Sequence, residues 1–64
     1  MTVNNCGKEV SIKSFDDASK LIRNHIEKKE MRSSKWYQYK DNGTITDNGK
    51  QVASISFNGR IWMN

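Results

Sequence analysis

Sixty-four residues with a net charge of +4 make one small domain, 1–64, and no more. One cysteine, Cys6, and one histidine, His25, exclude an internal disulfide and argue against a zinc staple, so no metal or other cofactor is expected. No apolar run approaches the roughly 20 residues that span a bilayer, and the N-terminus lacks the apolar core of a signal peptide. With its lone thiol the chain therefore reads as soluble and cytoplasmic, with no membrane partner.

Residues 1–7, "MTVNNCG", are expected to be a loose N-terminus. "KEVSIKSF" alternates, with Val10 and Ile12 on one side and Glu9, Ser11 and Lys13 on the other, which predicts a short half-buried strand. Ser14 then opens a helix: Asp17 stands three positions on, Asp16 beside it, and both acids sit at the positive end of the helix dipole. Phe15, Ala18, Leu21, Ile22 and Ile26 recur at helical spacing with His25 on the same stripe, so the helix should run from about Phe15 to about Glu30. Lys28, Lys29 and Arg32 close it, where cations are favoured.

"MRSSK" reads as a loop. The rest, "WYQYKDNGTITDNGKQVASISFNGRIWMN", is rich in aromatic and β-branched residues and carries three Asn-Gly pairs, at 42–43, 48–49 and 58–59. Asn-Gly is a strong hairpin signal because both residues tolerate positive φ, so a four-stranded meander is expected. A two-residue loop at Asn58-Gly59 would pair Ile55 with Trp62 and Phe57 with Arg60. A three-residue loop at 47–49 would pair Ile45 with Gln51, and one at 41–43 would pair Tyr39 with Ile45. Paired residues share a face. On this register Trp62, Ile55, Phe57, Ile45, Tyr39 and Tyr37 face the helix, and Trp36, Thr44, Ser54, Ile61 and Met63 face outward. The predicted fold is α+β: a single helix packed on one face of a four- or five-stranded antiparallel sheet, in the order β-α-β-β-β-β.

Catalysis finds little support. His25 reads as a packing histidine, and Cys6 has no activating motif around it. Asp16 and Asp17 are explained by helix capping. The chain is therefore read as a non-enzyme. Residues 20–40 hold Lys20, Arg23, Lys28, Lys29, Arg32, Lys35 and Lys40 against Glu27 and Glu30, a local balance of +5. Such a patch attracts polyanions or an acidic protein surface, or it simply keeps a small domain dissolved. The candidate partner-binding residues are Lys20, Arg23, Lys28, Arg32, Lys35, Trp36 and Lys40, with the basic groups steering and Trp36 as apolar anchor. The partner would be a protein or a nucleic-acid-bound complex, with the chain a monomer or weak homodimer. Direct, weakly sequence-selective nucleic-acid binding by the basic helix end and Trp36 is the alternative.

"SFDDASKLI" opening the helix and "SISFNGRIWM" forming the last hairpin give a layout that resembles small phage-encoded inhibitors of the anti-CRISPR type. One family among these inhibitors sets a single helix against a five-stranded antiparallel sheet. The resemblance lies in topology rather than residue identity, and no site residue is carried over from it. It implies a non-enzymatic protein, phage or mobile-element encoded, that inhibits a bacterial nucleic-acid-handling or defence system by occupying a surface.

Overall fold

The computed structural model describes residues 1–63; Asn64, the last position of the expected domain, lies outside them. The elements in chain order are β1 (Thr2–Asn5), β2 (Lys8–Ser11), α1 (Phe15–Lys29), α2 (Ser33–Trp36), β3 (Thr44–Asp47), β4 (Lys50–Ile55) and β5 (Ile61–Met63). The strands form one antiparallel sheet in the order β2-β1-β3-β4-β5. The fold is α+β, one main helix and five strands, but its order is β-β-α-α-β-β-β rather than the expected β-α-β-β-β-β.

The N-terminus is the first correction. Residues 2–5 are not loose; they form β1, inside the sheet, with β2 on one side and β3 on the other. Val3 is fully buried. The joining turn is Cys6–Gly7, with φ of 53° and 85°. Two successive positive φ values mark a primed two-residue hairpin turn, whose twist matches that of the strands. The turn escapes a search for Asn-Gly because cysteine occupies the first position.

Helix α1 follows the sequence closely. Ser14 lies in extended conformation, its Oγ accepts from the Asp17 N–H at 3.1 Å, and the Asp17 carboxylate accepts from the Lys13 N–H at 3.1 Å. The Ser14 side chain thus satisfies a donor that the first helical turn leaves free, and the Asp17 side chain ties down the residue before the cap. Glu30 ends the helix in the left-handed conformation, φ 51°. Ala18, Ile22 and Ile26 are buried against Val3, Ile45, Ala53 and Ile55 of the sheet, with Phe15 and Leu21 packed at the margin.

The segment after α1 is the second correction. Residues 36–40 do not form a strand. Ser33–Trp36 make one helical turn, α2, and residues 37–43 run on as turns. Trp36, expected on the outward face, is fully enclosed in the core. Its ring meets Tyr37 edge-on at 5.0 Å and Phe57 at 6.3 Å between centroids. The physical reason is area. A buried Trp removes roughly 200 Å² from water, about 5 kcal/mol at ~25 cal/mol per Å², which outweighs a short polar strand pairing. Tyr37 and Tyr39 are left exposed.

The hairpin registers also shift. Asn48–Gly49 is a two-residue turn, φ 52° and 79°, pairing Asp47 with Lys50. A bulge then restores Ile45 opposite Ala53, so Ile45 reaches the expected core face by a different route. At the last hairpin the loop has three residues, not two: the Ser56 N–H donates to the Arg60 carbonyl at 3.0 Å, and Ile55 pairs with Ile61. A one-residue slip sends every side chain of β5 to the opposite face. Trp62 therefore stands opposite Ser54 on the outward face, half-exposed, and Ile61 packs at the core margin instead. Helix α1 holds the longer loop in place. Ser19 Oγ donates to the Gly59 carbonyl at 2.7 Å, and Arg23 Nη1 donates to the Phe57 carbonyl at 2.8 Å.

Candidate functional site

The seven residues singled out from sequence do not converge. Lys20 is engaged with Asp16 at 3.2 Å on the exposed side of α1. Arg23 is a structural tether: it holds the Phe57 carbonyl, stands 5.7 Å from the Phe57 ring centre, and pairs with Glu27 at 3.6 Å. Lys28 and Lys40 are exposed on α1 and in the 37–43 turns. Trp36 is excluded as a surface anchor by its complete burial. Arg32 and Lys35 do come together, one capping the start of α2 and the other within it.

There they line a cavity of about 590 Å³ whose other walls include Cys6, His25, Lys29, Glu30 and Tyr39. Two residues set aside in the sequence reading thus become neighbours. The β1–β2 turn carries Cys6 to the helix, and its Sγ lies 3.4 Å from His25 Nε2. Asn42 fixes the turn from the far side: its Oδ1 accepts from the Cys6 N–H at 3.0 Å, and its Nδ2 donates to the Trp36 carbonyl at 2.8 Å. No spacing rule joins positions 6, 25 and 42, so only the central placement of β1 reveals them. Among the described residues no group of three or more His, Cys, Asp or Glu side chains gathers as a metal site would require.

A second surface lies at the β4–β5 hairpin. The Arg60 guanidinium sits 4.4 Å above the Trp62 ring centre. Tyr37 stands beside it, its hydroxyl accepting from the Phe57 N–H at 3.0 Å. Trp62, Arg60, Tyr37 and Phe57 line a shallow cleft of about 320 Å³ together with Ser33, Ser56 and Asn58. Trp62 is 51% exposed and Tyr37 57%. The register shift of β5 and the turn after α2 together create this shelf, which is why the alternation of apolar residues pointed elsewhere.

Among the described residues no helix is long and apolar enough to cross a membrane. No known protein family matches the chain, and no curated protein or solved structure is significantly similar to it.

Proposed function

We propose that this chain is a small non-enzymatic binding protein that acts by covering a surface of a partner protein, with the Trp62–Arg60–Tyr37–Phe57 shelf as its contact. The observation that carries the reading is the half-exposed Trp62 with Arg60 stacked over it. Trp, Tyr and Arg are enriched among the few residues that carry most of the energy of protein interfaces, and this shelf sets all three side by side. Inhibition of a bacterial nucleic-acid-handling or defence complex, the role implied by the phage-inhibitor resemblance, is the concrete form of the proposal. The cations around the end of α1 would steer the domain toward an acidic partner.

Direct nucleic-acid binding is the second reading, favoured by Lys29, Arg32 and Lys35 around a cavity that also holds Tyr39. The two readings separate by salt dependence. Phosphate contacts lose affinity steeply as salt rises, whereas a packed protein interface loses far less. The test is capture from bacterial lysate at low and high salt, beside binding of a fluorescent duplex and single strand. The proposal expects one protein partner retained at high salt and weakened about 30-fold or more by Trp62→Ala, the size of an interface hot spot. Retention of nucleic acid alone, lost on adding salt, would replace it with the second reading.

A further inference from the structure

The Cys6–His25 pair is used by neither reading above. We propose that it is a nucleophilic thiol site that forms a mixed disulfide with a small anionic disulfide of the glutathione class. This inference is independent of what the shelf contacts, and it shares Lys29, Arg32 and Lys35 with the nucleic-acid reading.

Three observations carry it. First, nucleophile and base are in contact. The Sγ to Nε2 separation is 3.4 Å, and His25 with its proton on Nδ1 can accept the Cys6 S–H. Second, the pair opens into a cavity of about 590 Å³, large enough for a tripeptide arm, and both residues are only partly buried. Third, the cavity carries Lys29, Arg32 and Lys35 against a single carboxylate, Glu30. Such an excess of cations raises the local concentration of an anion. The backbone adds a fourth point. Cys6 holds a left-handed φ of 53°, where asparagine or glycine is the usual occupant. The Asn42 contact fixes this strained residue at the cavity wall.

The step balances without a further reagent. His25 takes the Cys6 proton, and the thiolate attacks one sulfur of the disulfide. The new Sγ–S bond forms as the old S–S bond breaks. The departing thiolate recovers the proton from the imidazolium and leaves as a thiol. One disulfide is consumed and one is made.

The test is intact-mass spectrometry of the folded chain over time with oxidised glutathione, and separately with the neutral 2-hydroxyethyl disulfide. Each rate is divided by that of the same chain unfolded in urea, which removes the reagents' intrinsic reactivity. The proposal expects the folded chain to favour oxidised glutathione over the neutral reagent by roughly tenfold, as cation focusing allows. The triple variant Lys29→Gln, Arg32→Gln, Lys35→Gln should lose that preference and keep its rate with the neutral reagent. His25→Gln should slow both reagents, and Cys6→Ser should give no adduct. Circular dichroism checks that each variant is folded. The charge triple alters only exposed side chains, so it decides the matter even if His25→Gln proves unstable. A folded rate no higher than the unfolded one with either reagent, or a preference unchanged in the triple variant, would overturn the proposal.

Discussion

Replacing Trp36 with alanine probes the largest buried side chain of the fold. The indole is fully enclosed, with Tyr37 and Phe57 against its faces and edges and the Gly43 backbone packed beside it. Truncating a buried Trp costs about 3–5 kcal/mol. A chain of 64 residues at roughly 0.05–0.15 kcal/mol per residue has about 3–10 kcal/mol in all. The variant should thus retain about two-thirds of its stability at best, and none at the lower bound. At this size each kcal/mol moves the midpoint by about 4–8 °C, so the melting temperature should fall by at least ~12 °C. Trp62→Ala gives up an exposed ring and its stacking with Arg60, worth about 0.5–1 kcal/mol, and should move the midpoint by only a few degrees. Thermal melts by circular dichroism measure both. Fluorescence adds a second readout: Trp62→Phe should leave a blue-shifted emission from Trp36, and Trp36→Phe a red-shifted one from Trp62. If Trp62→Ala melts lower than Trp36→Ala, the three-residue hairpin loop and the inward turn at α2 are both wrong.

Gly43→Ala should be among the most damaging single-atom changes, because a Cβ there overlaps the Ile55 carbonyl and comes within 2.9 Å of the Trp36 ring while φ stays at +86°. The left-handed penalty alone is about 1–2 kcal/mol, and overpacking adds about 1–3 more, which urea titration would read as a lower midpoint. Ser14→Ala removes the acceptor for the Asp17 N–H and should cost about 1 kcal/mol, measured the same way; Ser14→Asp should restore most of it.

Local signals were legible and long-range ones were not. The capping serine, the acids of the first turn and the apolar stripe placed α1 within a residue, because a helix is decided by neighbours three and four positions apart. Val10 and Ile12 faced inward as their alternation required. The Asn-Gly pairs at 48–49 and 58–59 do mark turns, but the pair alone does not choose between two and three loop residues. At 58–59 that choice is made by Ser19 and Arg23, forty and thirty-four positions away from the carbonyls they bind. The longer loop turned Trp62 outward, and a helical turn in place of a strand at Ser33–Trp36 turned Trp36 inward. The third pair, Asn42-Gly43, follows no strand at all; Asn42 serves instead to tie Cys6 to Trp36. The cavity was invisible for the same reason, since its thiol and imidazole meet only once β1 has taken its place between β2 and β3.

That placement of β1 also bears on how the chain reaches its fold. Strand β1 pairs through Thr2 and Val3 with Thr46 and Ile45, more than forty positions later. During synthesis the β1–β2 hairpin and α1 can form from local contacts, but their apolar faces stay uncovered until β3 has emerged. Closure of the sheet is then a late and non-local event, of the kind that slows folding relative to a helical bundle of equal size. Until that moment Val3 is exposed on a strand with one free edge, so the nascent chain is most prone to wrong pairing before β3 is made.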